Sequence, residues 1–482
     1  MKTVTPILIF LVMVLGLCST SYAAEKAGEA SVSTSSIEDQ TGIAVTIYNV
    51  NIGLIKDSRE IPLAKGVSNL RFMDIASHII PASVQIRSLS DAGSLQVLEQ
   101  NYEYDLLNPQ KLLDKYVGRE LKLYQKNLYT EREEIVTATL LSNNGGPIFR
   151  INNEITFGHP GRIIFPQVPE NLISSPTLVW MLENGLNKKQ KIEASYLTNN
   201  INWRADYVLT LSENDDKADI SGWVTIDNRS GTTYRNAKLK LVAGDVNRVR
   251  EEPHYRDRMM KAAEAAAMPA APQFREESFF EYHIYTLERP STLKDNQTKQ
   301  ISLVSAADIP AKKEMIFRGE DHYYHGRMAE TISNQKVDVF VEVQNRKEHN
   351  LGIPLPKGIV RVYKHDSEGS LQFIGEDSID HTPKDEKIRI KLGTAFDVVG
   401  TRKQIDWKKV ATDTYEASFE ITLRNHKKED IVVKVIEPIP GDWTMLTASH
   451  EWKKAEAFTA EFRVPVKKDG ETKLTYKVRM RW

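Results

Sequence analysis

The residues best suited to chemistry lie between Asp321 and His325, where a carboxylate and two imidazoles occur within five positions. These groups are ligands that Zn²⁺ accepts, and a helical turn would bring His322 and His325 to one side. On a strand the two rings would point to opposite faces, and the sequence fixes no further ligand. We therefore favour a polar, aromatic surface loop, with Asp321, His322 and His325 as weak metal candidates.

A second candidate is the run His-Thr-Pro-Lys-Asp-Glu at residues 381–386. A general base needs a positioned partner in a cleft, and the sequence indicates neither. Pro383, Lys384 and Asp385 are typical of a turn between strands, so we interpret the run as a turn. The sequence contains no G-x-S-x-G elbow and no Walker loop. It therefore predicts no catalytic residue, no cofactor site and no settled metal site, which leans against an enzyme.

Composition narrows the function classes. The 482 residues carry 64 Lys and Arg against 65 Asp and Glu, a net charge of −1. This balance argues against a dedicated nucleic-acid binder, which normally has a clustered basic excess. The hydrophobic fraction of 41% is typical of a globular chain. Cys18 is the one cysteine, so no disulfide framework or zinc ribbon can form from this chain alone.

The N-terminus reads as a targeting segment. Lys2 precedes an apolar run at residues 6–17, and Ser21-Tyr22-Ala23 offers small residues for a signal peptidase. The run is shorter than the ~20 residues that span a bilayer. We expect a signal peptide at residues 1–23 and a periplasmic or extracellular mature protein without a transmembrane segment. A lipid-anchored Cys18 stays open as the alternative.

The elements that must position any site are predominantly short strands, with Ile43, Val45 and Ile47 beginning the apolar–polar alternation. Asn108 followed by Pro109 predicts one short helix. Five short apolar runs in residues 118–170 suggest a small inserted SH3-like β-barrel. A hairpin is expected between residues 300–305 and 314–318. The predicted organisation is a flexible leader at 24–42, an N-terminal β domain at 43–117, the insert at 118–170, a β-sandwich at 171–330 with a mobile Ala/Pro-rich excursion at 251–277, and a C-terminal β-sandwich region at 331–482.

A weak repeat singles out Asn228, Asn345 and Asn425 as structural residues. Each follows an alternating strand, shares the parity of its apolar residues, and precedes a polar turn and a second strand. Each amide should therefore point inward at a strand end. A buried amide must find hydrogen bonds, and the turn backbone is nearest. We expect the three asparagines to clamp three sandwich hairpins of immunoglobulin-like modules.

Several motifs also carry a family resemblance. The sequence resembles the bacterial family catalogued as domain of unknown function 4139 over most of residues 43–482, and is similar to the C-terminal part of mucoidy-inhibitor-like proteins, although a long coiled-coil region is missing. The motifs are Trp-Arg-Ala-Asp-Tyr at 203–207, Asn-Arg-Ser-Gly at 228–231, Leu-Val-Ala-Gly-Asp-Val at 241–246, Pro-Leu-Pro-Lys-Gly at 354–358, the run at 381–386, and Glu-Pro-Ile-Pro-Gly-Asp-Trp at 437–443. The resemblance implies an exported, β-rich protein and brings no reaction or cofactor.

These observations lead to one expectation and one alternative. The mostly β fold, the export signal and the missing catalytic motifs favour a non-enzymatic cell-envelope protein that binds or scaffolds. Its partner would be an unknown protein or an envelope polymer and not a nucleic acid. The alternative is an envelope hydrolase or metal-dependent enzyme whose site assembles from distant loops.

Overall fold

The computed structural model describes residues 31–126, 133–158, 161–169, 172–244, 246–247 and 273–482. The described chain is mostly β, as the alternation predicts, and its one α-helix is α1, Pro109–Tyr116. Asn108 caps this helix by accepting a hydrogen bond from the Lys111 amide. The expected signal peptide with Cys18, and residues 251–272 of the Ala/Pro-rich excursion, lie outside the described residues.

Six described strands precede α1 in the chain, and five strands of the same region follow it. The region also contains the short 3-10 helices Ile37–Asp39 and Pro81–Ser83. The strands are β1 (Ser31–Ser35), β2 (Gln40–Tyr48), β3 (Ile52–Leu63), β4 (Gly66–Phe72), β5 (Gln85–Ser88), β6 (Leu95–Glu103), β7 (Glu120–Lys126), β8 (Glu133–Ser142), β9 (Ile148–Ile151), β10 (Glu154–Phe157) and β11 (Arg162–Ile164). β1, which lies inside the expected leader, pairs in parallel with β4.

The remaining strands are longer, and 3-10 helices occur at Asp321–Tyr324 and Lys347–His349. The strands are β12 (Thr177–Asn184), β13 (Lys188–Asn199), β14 (Ile201–Leu211), β15 (Lys217–Asn228), β16 (Tyr234–Ala243), β17 (Phe274–Phe279), β18 (Tyr282–Leu287), β19 (Ser291–Leu293), β20 (Gln297–Arg318), β21 (Ile332–Gln344), β22 (Gly358–His365), β23 (Leu371–Ile379), β24 (Lys387–Ala411), β25 (Thr414–Asn425), β26 (Ile431–Pro438), β27 (Asp442–Ala448), β28 (Trp452–Glu456), β29 (Thr459–Val466) and β30 (Gly470–Arg481).

The described strands form four sheets. A four-stranded sheet has the order β1-β4-β12-β6, and an eight-stranded sheet has the order β17-β18-β16-β2-β3-β13-β5, with β19 beside β16. The insert forms a five-stranded sheet, and the largest sheet runs β23-β22-β14-β15-β20-β21-β24-β25-β30-β27 with β26, β28 and β29 attached. No helix within the described ranges is both long and apolar enough to cross a membrane.

The insert is an open sheet. The prediction of a small closed barrel is therefore wrong. Its order is β10-β9-β8-β7-β11, and the described residues contain no pairing between the two edge strands. β10 has four residues and β11 has three, which limits curling. Helix α1 covers the apolar face instead, since Tyr116 packs in one cluster with Leu123 and Leu140.

A first large core fills the space among the four-stranded sheet, the eight-stranded sheet and the first strands of the largest sheet. Its members include Val45, Trp180 and Tyr207, all at most 2% exposed. Arg59 is buried among them, held by Asp57 at 2.9 Å and by the carbonyl oxygens of Ser35 and Met73. Alternation thus buries one face of each sheet and leaves the other in water.

A second core forms a sandwich in the C-terminal part of the chain. One layer contains β24, β25, β30 and β27, and the other contains β20, β26, β29 and β28. Phe419, Val433 and Phe462 from the two layers meet in one cluster.

Strands β20, β21 and β24 contribute to both cores. β20 packs Ile301 into the first core and Phe317 into the second. The expected hairpin between residues 300–305 and 314–318 is therefore wrong, because both runs belong to this single strand of 22 residues.

Candidate functional site

The metal candidates at Asp321, His322 and His325 lie on the surface. His322 Nδ1 is 3.1 Å from Glu320 Oε2, and His325 Nε2 is 3.8 Å from Asp321 Oδ2, with all four side chains more than half exposed. In the parts of the chain that the structure describes, no group of three or more His, Cys, Asp or Glu is arranged to hold a metal ion. The neighbouring Tyr323 and Tyr324 are buried, so the segment's apolar side anchors it to the second core.

Tyr324 leads into a buried polar network that the sequence motifs did not identify. Its hydroxyl donates to Glu437 Oε2 at 2.6 Å, and Tyr476 donates to the same oxygen at 3.0 Å. Arg402 donates to both Glu437 oxygens at 2.9 and 2.7 Å. Arg402 and Glu437 are both fully buried. The bidentate pair is a geometry that offsets part of the desolvation cost of two buried charges.

The electrostatics of this network follow from burial. Burial alone would lower the pKa of Arg402, but the Glu437 carboxylate reverses the effect and the pKa is raised. Burial, followed by the charge of Glu437, raises the pKa of Tyr324 well above its usual range. Gly319 completes the enclosure, because a Cβ there would collide with the Glu437 carboxylate. Glu437 shares the inward parity of Val433 and Val435, which was the available signal in the sequence.

The asparagine of the second repeat unit, Asn345, is buried at the end of β21. Its Nδ2 donates to the carbonyls of Ile353 at 2.7 Å and Pro383 at 2.9 Å, and its Oδ1 accepts from the Gly352 amide at 2.9 Å. The run at 381–386 therefore supplies a carbonyl to this amide. His381 of the same run accepts a hydrogen bond at Nδ1 from the Lys357 amide.

Asn228 and Asn425 are held in the same way. Asn228 Nδ2 lies 2.9 Å from the Thr232 carbonyl, and Asn425 Nδ2 lies 2.8 Å from the Glu429 carbonyl. The strands that each turn connects are not hairpins: β15 pairs with β14 and β20, whereas β16 pairs with β2, β18 and β19. The hairpin expectation is wrong because each unit is an arch whose two strands have different neighbours.

Asn184 is a fourth residue of this type, which the repeat analysis missed. It ends β12, is 1% exposed, and donates to the Ala64 carbonyl at 2.9 Å while its Oδ1 accepts from Gln190. The signal was present, because Leu178, Trp180 and Leu182 share its parity and Gly185 follows.

A further accessible surface is the outer face of the eight-stranded sheet. Alternation along β2 and β3 buries Ile43 and Ile55 and turns Ala44 and Lys56 outward. Residues that are Cα partners across the strands lie side by side on this face. One row runs Arg275, Thr286, Lys240, Thr46, Leu54, Leu197, and the next runs Lys238, Ala44, Lys56, Ser195, Gln85.

Two cavities open on this face. The first, of about 560 Å³, is lined by β16, β17, β18 and β2, and the second, of about 480 Å³, is lined by β3, β13 and β5. Ala44 and Thr46 of the first cavity are the strand partners of Lys56 and Leu54 of the second. The cavities are therefore neighbours on one surface, separated by about one strand spacing of 4.8 Å.

Six cationic side chains and two carboxylates line the two cavities. We call this surface the basic face and define it by its six cations, which are Lys56, Arg87, Lys238, Lys240, Arg275 and Arg289. This excess is local, since the whole chain has a net charge of −1.

Several of these cations have no anion of their own. The side chains of Lys56, Lys238 and Arg275 are exposed, and none forms an ion pair with a described residue. Lys240 Nζ lies 3.6 Å from Glu277, and Arg87 alone of the six has a close pair with a described residue, Glu193 at 2.7 Å. The face therefore presents positive charge that the described protein leaves mostly uncompensated.

The floor of the first cavity contains an unsatisfied hydroxyl. Thr286 Oγ1 is buried and has no hydrogen-bond partner among the described residues. Buried polar groups are paired in most native structures, so this hydroxyl is an exception. Nearby, burial and the charges of Arg289 and Lys294 lower the pKa of Lys299, which indicates crowded positive charge at this end of the sheet.

A comparison with protein families now bears on this geometry. A family model described as a domain of unknown function (DUF4139) matches residues 192–482. The chain belongs to this family. The match covers the C-terminal part of the region over which the resemblance was expected, and no curated protein matches the chain.

The DUF4139 region does not contain the whole basic face. Its match begins inside β13, so β13, β16, β17 and β18 supply part of the face from within it. β2, β3 and β5 precede residue 192 and supply Lys56 and Arg87. The face is therefore composite, and pairing of β2 with β16 and of β3 with β13 joins its two parts.

Proposed function

We propose that this member of the DUF4139 family is an exported, non-enzymatic cell-envelope protein that binds a partner through the basic face. The observation that carries the proposal is the continuity of the two cavities on one sheet face whose lysines and arginines mostly lack protein anions. Such a face offers contact area and attraction over a broad surface. The signal-like segment at residues 1–23 supports export.

The groups that line the face suit binding better than proton transfer. They are lysines, arginines, hydroxyls, the Gln85 amide and aliphatic side chains, with Glu193 and Glu288 as the carboxylates. Glu193 already accepts two hydrogen bonds from Arg87, at 3.0 and 2.7 Å. A general acid or base must be positioned against the reacting atom, whereas the Glu193 carboxylate is already engaged by Arg87.

Fractionation tests the location. The full chain, expressed in a Gram-negative host, should appear outside the cytoplasm with a mature N-terminus at Ala24, read by mass spectrometry. A cytoplasmic protein that retains residues 1–23 would contradict export.

Co-sedimentation tests the binding role. The mature protein should sediment with isolated envelope material, and a triple variant Lys56→Ser, Lys238→Ser, Lys240→Ser should stay largely in the supernatant. The matched control replaces three exposed lysines elsewhere, Lys384, Lys428 and Lys468, by serine and should sediment like the wild type. Equal sedimentation of both variants would overturn the role of the face.

A further inference from the structure

We propose that the ligand of the basic face is a linear anionic polysaccharide that lies across the strands, an inference that rests on the proposed binding function. Carboxylates or phosphates at intervals along such a chain would meet the lysines and arginines, and its sugar rings would lie over the small side chains between them.

The cations of the basic face extend across the whole width of the eight-stranded sheet. The cations are distributed over the sheet from Arg275 on β17 to Arg87 on β5, with Lys240 and Lys56 between them. These end strands are six spacings apart in the sheet order, or about 29 Å. A small anion would occupy one cation cluster, whereas a polymer contacts several clusters at once and gains affinity from each.

The surface between the cations consists of small and aliphatic side chains. Ala44, Thr46, Leu54 and Ser195 occupy the centre of the face, so a flat chain can approach the sheet closely. Hydroxyls of Thr46 and Ser195 can exchange hydrogen bonds with sugar hydroxyls. Aliphatic side chains accept the apolar C–H faces of sugar rings.

The lining of the two cavities argues against single-stranded nucleic acid as the ligand. Proteins that bind single strands combine positive charge with aromatic side chains on which bases stack. The residues that line the two cavities include no Phe, Tyr or Trp. The cavities therefore offer no platform on which bases stack.

Titration calorimetry of the mature protein tests the inference, with oligogalacturonate and phosphorylated dextran as the two anionic probes and unmodified dextran as the neutral one. We expect binding of an anionic probe and not of neutral dextran, weakening as salt is raised. A decamer of galacturonate should bind at least tenfold more tightly than the monomer. The two anionic probes distinguish carboxylate from phosphate as the recognised group.

The variants assign the binding to this face. The Lys56→Ser, Lys238→Ser, Lys240→Ser protein should lose affinity about tenfold, a change equivalent to ~1.4 kcal/mol. The Lys384→Ser, Lys428→Ser, Lys468→Ser protein should bind like the wild type. Unchanged circular dichroism and melting temperature show that each variant is folded.

Three results would overturn the inference. The first is neutral dextran binding as tightly as the anionic probes, the second is the monomer binding as tightly as the decamer, and the third is single-stranded DNA binding more tightly than either glycan. Sedimentation with envelope material that depends on the face, together with no binding of either anionic probe, would reject the polysaccharide and leave the proposed function standing. Loss of both would reject both.

Discussion

The C-terminal sandwich contains carboxylates that each bind several cations, whereas most described cations of the basic face have no such carboxylate. In the sandwich region, Glu416 accepts from Lys477 and Arg479, each at 2.7 Å, and Glu314 lies within 3.0 Å of Lys312 and Lys434. On the basic face, Lys56 and Lys238 have no ion pair with any described residue. Both regions are antiparallel-rich sheets with one buried face, so the fold alone does not explain the difference.

The contrast teaches which charges belong to stability and which are available for binding. A carboxylate surrounded by cations lowers the energy of the folded chain, and removing it leaves like charges together. A cation without a partner contributes little to folding, and a group of them disfavours folding slightly through repulsion. Substitutions should therefore separate the two regions by their effect on unfolding.

The largest effect is expected at the buried pair. Glu437→Gln removes the charge that faces Arg402 and leaves a guanidinium uncompensated in the core. We expect a loss of about 3–5 kcal/mol in the free energy of unfolding, because the remaining charge is desolvated without its counterion. Denaturation followed by tryptophan fluorescence measures it. A loss below about 1 kcal/mol would show that paired charge in this region is not structural.

Asn345→Ala extends the comparison to a neutral group. The change orphans the carbonyls of Ile353 and Pro383 and the Gly352 amide, so we expect a loss of about 1–3 kcal/mol. Asn144→Ala is the matched control, since Asn144 is exposed and its side-chain amide has no hydrogen bond among the described residues. An unchanged melting temperature of Asn345→Ala would contradict the clamp.

The stabilisation that comes from the ion pairs of Glu314 should depend on pH. Burial would raise the pKa of Glu314, but hydrogen bonds from Lys312 and Lys434 outweigh it and lower the pKa to about 2 from 4.5. As the pH falls, Glu314 therefore takes up a proton in the unfolded chain before it does so in the folded one. Its contribution to the free energy of unfolding is complete above pH 4.5 and is lost towards pH 2. Because solvent screens these ion pairs, we expect them to contribute about 1–2 kcal/mol to the free energy of unfolding.

Comparing wild type with Glu314→Gln at pH 6 and pH 3 measures this term. The gap in unfolding free energy between the two proteins should narrow at pH 3, since the wild-type stabilisation fades and the amide does not titrate. A gap that stays constant between the two pH values would contradict the assignment.

The smallest effect is expected on the basic face. Lys238→Ser should change the free energy of unfolding by less than about 0.5 kcal/mol, because this exposed side chain has no ion pair with a described residue. Thermal denaturation checks it. A destabilisation as large as that of Asn345→Ala would show that the lysine is structural and would erase the contrast between the regions.

Local patterns in the sequence predicted local structure well. Asn108 and Pro109 predicted the start of α1, and alternation predicted the β class and the inward direction of Asn228, Asn345 and Asn425. These features depend on side-chain parity and capping, which act over a few residues.

Long-range pairing could not be predicted in the same way. The apolar runs at 300–305 and 314–318 look like two strands of a hairpin, yet polar residues between them only mark the passage of β20 from one core to the next. The basic face depends on Lys56 and Lys238 meeting across Ala44, which is set by the register of β2 with β3 and β16. A balanced total charge conceals such an uneven distribution.

The long strand β20 has a consequence for how the chain is made. Its C-terminal half carries Met315 and Phe317, which pair in parallel with β26 and belong to the second core, with Arg318 opposite Ile436. During synthesis these apolar side chains emerge well before residue 436 exists to cover them. Non-local parallel pairing also forms slowly. The nascent chain therefore exposes the apolar C-terminal half of β20, without its partner strand, until β26 has been synthesised. Chaperones that hold unfolded chains should bind this segment during that time.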